Sequence, residues 1–340
     1  MRDRKDLAGV FLQQAGWAQA QRRALAGDAS GRRYQRLRMP GGGESAVLMD
    51  APPDKGEDVR PFVGMAAHLR ALGLSPPLVL AQDLKNGFLL LEDLGDDLFA
   101  TVLLDEPSLE LPLYQAAVDL LVHLHGAPVP SGLETYTPRL MARYVAPALD
   151  YYPPVTTPPT DAAKQVLFAE LETVLARFTL GPVLVLRDFH AENLLWLPDR
   201  PGNARVGLLD FQDAVAGHPA YDLVSLLEDA RRDVTDQTRT AMIAHYAHSA
   251  GLDVGLVSAS FCAQGAQRNL RILGVFARLC LQGGKPSYVE LLPRVWDHLM
   301  RDLSHPALSA LKSIILRTFS APTPDVLTGL NARCPTPQPH

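Results

Sequence analysis

Asp188, Asn193 and Asp210 are the residues of this chain best suited, by type and spacing, to do chemistry. The asparagine follows Asp188 by five residues and the second aspartate by 22. A carboxylate beside a reacting hydroxyl can accept its proton. An amide oxygen and a second carboxylate are hard oxygen donors of the kind magnesium prefers, and Mg²⁺ is usually held by one or two carboxylates together with substrate phosphates. The pattern therefore points to magnesium-assisted transfer of a phosphoryl group to a hydroxyl. The spacing D-x-x-x-x-N, followed by an aspartate at a strand end, is also that of the catalytic loop and metal-binding aspartate of protein kinases.

Such residues need strands and turns to aim them. VLVLRDFHAENLLW (183–196) is an apolar run broken by a polar knot, which fits a strand, a loop and a second strand, and GLLDFQDA brings Asp210 to the end of another. Upstream, YQRLRM, a GGG turn and SAVLMD form a hairpin pattern. Residues 58–72 carry helical apolar spacing ended by Gly73. LVLAQDLKNGFLLLEDL is a strand pair turned at Asn86-Gly87. After Gly95 the pattern becomes helical, with helices expected over LYQAAVDLLVHLHGA and AAKQVLFAELETVLARF and a stiff proline-rich connector at 151–160.

Composition narrows the class. The chain has 340 residues, 47% hydrophobic and 20% charged, with a net charge of −5. Two lobes are expected at this length. The acidic balance argues against a nucleic-acid or anionic-membrane partner. No run approaches a membrane span, and the N-terminus lacks the apolar stretch of a signal peptide. Three widely spaced cysteines suggest neither a disulfide framework nor a zinc site. A cytoplasmic protein is expected; its oligomeric state is not legible.

RDFHAENLL followed by LLDFQDA resembles the aminoglycoside/choline phosphotransferase superfamily, whose loop reads H-G-D-L-H-x-x-N. GDASGRRYQRL, VLMDAPP, LLLEDLGDDLF, PAYDLVSLLEDARRDV and QRNLRILGVFARL are similar to the bacterial N-acetylmuramate/N-acetylglucosamine anomeric kinases of cell-wall recycling. The resemblance implies an α+β, bilobal protein-kinase-like fold. A small β-rich nucleotide-binding lobe would span 1–93 and a larger, mainly helical catalytic and acceptor-binding lobe 94–320, with a loose tail at 321–340. It implies ATP and Mg²⁺ as cofactors and a small-molecule acceptor, an amino sugar. Asp188 would be the base and Asn193 and Asp210 the metal ligands. His190 and Asp222 would support the loop, and Asp213 is a further acidic neighbour. Arg268, Asn269 and Lys285 are candidates for the sugar side.

Three departures matter. Leu186 and Arg187 replace the family's first loop histidine and its glycine. Met49 stands where a kinase strand carries its phosphate-binding lysine, and the helix FVGMAAHLRAL offers no glutamate to pair with one. The phosphates would then be met by Arg32 or Arg33 with the backbone of Ser30 and Gly31. Glu92 to Leu94 would form the hinge whose backbone reads an adenine edge. Other acceptors of the same fold (an aminoglycoside, choline or homoserine) and a non-catalytic, nucleotide-binding pseudokinase are the competing expectations.

Overall fold

The computed structural model describes residues 3–25 and 31–335, and they divide into two compact units. The first comprises residues up to Leu109 together with Ala191–Ala214, and the second Glu110–His190 together with the chain from Val215. Along the chain the first unit contains α1 (Arg4–Gln14), β1 (Gln21–Ala24), β2 (Arg33–Arg38), β3 (Ser45–Asp50), α2 (Arg60–Ala71), β4 (Val79–Asp83), β5 (Phe88–Glu92) and α3 (Phe99–Asp105). The second begins with α4 (Glu110–His125), α5 (Pro138–Arg143), α6 (Ala146–Tyr151), α7 (Asp161–Arg177) and β6 (Val183–Val185). The chain returns to the first unit for β7 (Leu194–Trp196) and β8 (Val206–Leu208). It ends in the second with β9 (Val215–Gly217), α8 (Ala220–Leu227), α9 (Asp236–Ser249), α10 (Val254–Leu281), α11 (Leu292–Asp302), α12 (Ser309–Thr318) and α13 (Pro324–Ala332). The α+β class and the division into a β-rich and a mainly helical part are as the sequence implies.

The first unit is built on an antiparallel sheet in the order β1-β2-β3-β5-β4. Side chains alternate across a strand, so each strand has two faces. Leu37, Ala46, Leu48, Phe88 and Leu90 pack on Phe11 and Leu12 of α1. The opposite parity, Tyr34, Val47, Met49 and Leu91, is left to line a cavity. Asn86-Gly87 turns the β4–β5 pair, and Gly87 has φ +72. A Cβ there would collide with the Ala51 carbonyl, so only glycine fits.

Two boundaries differ from the expected ones. α3 and the β7–β8 hairpin belong to the first unit because backbone hydrogen bonds tie them there: Trp196 N–H to Asp97 O at 2.7 Å, Ala100 N–H to Ala191 O at 3.1 Å and Leu208 N–H to Ser75 O at 3.0 Å. The segment expected to be a loose tail contains α13, with Pro324 in its first turn, the Thr323 side chain accepting from Val326 N–H, and Leu330 buried. Pro324 opens a helix instead of preventing one.

The second unit's main core gathers around α10 and includes Leu270, Leu273, Leu292, Val295, Leu299 and Ile315. Gly274 lets α10 approach α6 so closely that a Cβ would collide with the backbone of Pro147 and Ala148. Among the described residues no helix is long and apolar enough to cross a membrane.

Candidate active site

The segment carrying Asp188 leaves the core strand β6, whose Val185 pairs with Val215 of β9. Leu186 is buried and Arg187 takes a left-handed φ of +73, so the chain turns sharply just before Asp188. Asp222, in the first turn of α8 and fully buried, holds that turn. Its carboxylate accepts the N–H of Leu186 at 2.6 Å and of Arg187 at 2.8 Å. One helical turn later Ser225 Oγ donates to the Arg187 carbonyl at 3.0 Å, and Arg268 Nη2 donates to Ser225 Oγ at 2.8 Å. Both peptide groups of Arg187 are thereby fixed, and its guanidinium lies over the Tyr136 ring at 5.6 Å. Asp222 and Ser225 sit three residues apart and so share one helix face.

Burial pushes the Asp222 carboxyl up to about 7, against the pull of the two N–H donors. His190 is buried, and burial lowers its pKa despite the opposing carboxylates Asp229 and Asp188; the guanidinium charges of Arg231 and Arg268 lower it further. A neutral ring at pH 7 suits a scaffold more than a second base.

Asn193 and Asp210 belong to the first unit. The Asn193 carbonyl accepts Leu209 N–H at 2.9 Å, one step beyond the Leu194–Leu208 pair of β7 and β8. This register brings both residues to the same end of the hairpin, and both line one cavity of 540 Å³. Asp210 has φ +55, and Gln212 Nε2 donates to its Oδ1 at 2.6 Å. Asp213 is exposed and does not line the cavity. The wall of Val47, Met49, Phe62 and Leu91 is apolar, while Asn193 and Asp210 supply oxygen donors. That is the composition of a small-molecule site. The donor set is hard, with one carboxylate and one amide oxygen, and fits an Mg²⁺ that takes its remaining ligands from phosphates and water.

Glu92 and Leu94 also line the cavity. The Glu92 side chain is engaged by Arg200 at 2.6 Å, and its N–H by Leu78 O at 2.8 Å. The backbone of Leu94 is left without a hydrogen-bond partner among the described residues. Arg36, which the sequence does not single out, lines the cavity from β2 and pairs with Asp93 at 2.9 Å and Asp96 at 2.6 Å.

Of the phosphate candidates, Ser30 lies outside the described residues. Gly31 N–H donates to Glu57 Oε1 at 2.9 Å, and Arg32 Nε pairs with Glu57 Oε2 at 2.8 Å. The sequence finds no glutamate within the helix, yet an acid just ahead of α2 pairs with Arg32, the residue before β2. Arg33 opens β2, is exposed and stands beside Asp50 in register. Neither arginine is among the cavity's lining residues.

The sugar-side candidates separate. Arg268 is 7% exposed and close to the Asp188 segment through Ser225. Asn269 has no exposed surface; its amide donates to Glu228 at 2.7 Å and Asp302 at 3.0 Å, which makes it part of a buried network and not a surface for an acceptor. Lys285 follows the end of α10, whose last residue, Leu281, lies ~20 Å along the axis from Arg268 at ~1.5 Å per helical residue. Asp229 and Arg231, in the EDARRDV run after α8, act electrostatically on the buried His190 ring, a proximity the sequence does not single out.

Comparison with known proteins adds to this geometry. The profile of the phosphotransferase enzyme family matches residues 21–255. An N-acetylmuramate/N-acetylglucosamine kinase of Caulobacter vibrioides is 38% identical, over 92% of this chain and 95% of that protein. One of the same name from Pseudomonas aeruginosa is 35% identical over 80% of each chain. Among solved structures, the ADP-bound aminoglycoside phosphotransferase APH(2'')-Ib superimposes with a TM-score of 0.61 at 14% identity, over 86% of this chain and 98% of that one. A choline kinase of Streptococcus pneumoniae gives 0.57 at 13%, over 90% and 99%. These two likenesses are of fold.

Proposed function

Because the chain belongs to the phosphotransferase enzyme family, we propose that it is an ATP-dependent, cytoplasmic sugar kinase acting on the anomeric hydroxyl of N-acetylmuramate and N-acetylglucosamine. The observation that carries a catalytic reading, against a pseudokinase, is the Asp222 and Ser225 clamp on Arg187, which fixes the backbone that presents Asp188. Relatives bearing that substrate name over most of the chain support the acceptor.

In this reading the nucleobase lies against the apolar wall of the first unit's cavity, with the Leu94 backbone at its edge. Arg32 meets the phosphates, with Glu57 orienting its guanidinium. Asn193 and Asp210 hold Mg²⁺, which when bound screens the phosphate oxygens and neutralises the charge that develops on them. Asp188 orients the anomeric hydroxyl and accepts its proton as the bond from that oxygen to the γ-phosphorus forms and the bond to the β-phosphate oxygen breaks. An anomeric hydroxyl is more acidic than an ordinary alcohol, so a carboxylate suffices as base. His190 stays neutral and structural. Positioning and electrostatics supply most of the rate.

ATP consumption by the whole chain with N-acetylmuramate, N-acetylglucosamine, choline and kanamycin tests the proposal. Turnover with the two amino sugars is expected. Turnover confined to choline or kanamycin, or none with any acceptor, would refute it.

A further inference from the structure

Arg271 follows Arg268 on α10 by three residues, a spacing that puts both on one helix face. The two arginines touch α8 one turn apart. Arg268 Nη2 reaches Ser225 Oγ at 2.8 Å, and Arg271 Nη1 donates to the Tyr221 hydroxyl at 3.3 Å. Tyr221 directly precedes Asp222, whose carboxylate holds the turn ahead of Asp188. The Arg271 guanidinium also lies over the Tyr144 ring at 5.6 Å. Tyr136 closes the group: its ring is 5.4 Å from that of Tyr144, 6.1 Å from that of Tyr221 and 5.6 Å from the Arg187 guanidinium. Contacts therefore run unbroken from Arg271 to the residue next to Asp188.

Arg271 is half-buried, yet among the described residues no carboxylate lies within ion-pair distance of it. Other partly buried guanidinium groups have one: Arg36 pairs with Asp93, Arg239 with Glu228 and Arg294 with Asp233. Glu134, the acid that touches this group, accepts the Tyr144 hydroxyl at 3.3 Å instead. A charge drawn partly out of water is normally paired. Here one hydroxyl and an aromatic face stand in for an anion, and such a face stabilises a cation by only ~0.5–1 kcal/mol at an accessible site. Nε and Nη2 of Arg271 have no hydrogen-bond partner among the described residues. N-Acetylmuramate differs from N-acetylglucosamine by an ether-linked lactyl group ending in a carboxylate. A guanidinium is the side chain whose forked donors match a carboxylate.

Resting on the acceptor reading above, we propose that Arg271, seated on the Tyr144 ring and held by the Tyr221 hydroxyl, recognises the lactyl carboxylate of N-acetylmuramate. The seat explains how one site takes both substrates. With the neutral sugar the cation keeps its ring and its hydroxyl, so no charge is stranded. With N-acetylmuramate it gains a charge-assisted contact. An acid of the protein in the same place would cancel that gain, because the substrate would have to displace it. The unpaired guanidinium also disfavours polycationic acceptors.

The experiment compares wild type, Arg271→Ala and Arg271→Lys on three substrates: N-acetylmuramate, its methyl ester and N-acetylglucosamine. Arg271→Ala is expected to lower kcat/KM for N-acetylmuramate about tenfold more than for N-acetylglucosamine, an effect of ~1.4 kcal/mol, with partial recovery in Arg271→Lys. Esterification should impose a similar loss on wild type, a readout that needs no variant to fold, and Arg271→Ala should treat acid and ester alike within about twofold. Equal losses on both sugars, as a purely structural arginine would give, would overturn the proposal and leave the acceptor reading standing. So would a wild type indifferent to esterification, or an ester penalty that persists in Arg271→Ala. A wild type that phosphorylates neither sugar would remove both.

Discussion

Replacing Asp222 with alanine tests the clamp directly. The substitution strips the partner from two buried backbone N–H groups, those of Leu186 and Arg187. Each orphaned donor costs ~1–3 kcal/mol, about 2–6 kcal/mol together. The pH dependence can be worked with its sign. The folded carboxyl sits near 7 against an ordinary 3.8. A raised carboxyl contributes stability that is fully present below the unfolded value and is lost as pH rises through the folded one. Between pH 8 and pH 6 the wild type therefore gains ~1.4 kcal/mol from this group, and the variant gains none of it. The stability gap between them should be wider at pH 6 than at pH 8 by about that amount. Urea unfolding of both proteins at the two pH values measures it. Turnover should also fall by ~10²-fold, because the segment presenting Asp188 is no longer held to the tolerance that chemistry requires. An equal gap at both pH values, or a variant whose kcat stays within about threefold of wild type, would refute the reasoning.

Three further outcomes are expected. Asp188→Asn should reduce turnover by ~10³-fold or more while leaving nucleotide affinity, measured by calorimetric titration, within about threefold. Arg32→Ala should raise the KM for ATP about tenfold, the size of a lost charge-assisted contact, whereas the exposed Arg33→Ala should change it less than about twofold; steady-state kinetics decide between them. Gly274→Ala should destabilise the protein by ~1–3 kcal/mol and lower the melting temperature, because its Cβ would meet the α6 backbone instead of a side chain that can turn away.

What could be read from the sequence depended on how local its signal is. Asp188, Asn193 and Asp210 stand out because residue type and separation along the chain carry the meaning. The two faces of SAVLMD follow from alternation alone. Glu57 was invisible because it lies 25 residues from Arg32 and outside any periodic element, so only the fold pairs them. Arg36 in YQRLR has the look of a solvated edge residue until the segment 93–96 supplies its two aspartates. Asn269 was misjudged for a related reason. A polar residue in an apolar helix can face a ligand or a buried acid, and here Glu228 and Asp302 come from α8's end and α11. The proline-rich tail was read by composition, where the order Thr-Pro-Asp was the better guide.

Arg187 occupies a seat where glycine would be the easy choice, since a left-handed backbone costs an L-residue ~1–2 kcal/mol. A glycine there would act as a swivel, drifting among many shapes at similar energy. An arginine behaves as a latch. Asp222, Ser225 and the Tyr136 ring are all engaged in this one conformation, and any departure from it weakens them together. The segment ahead of Asp188 is thus held to one geometry by contacts that a glycine would make without the same incentive to stay.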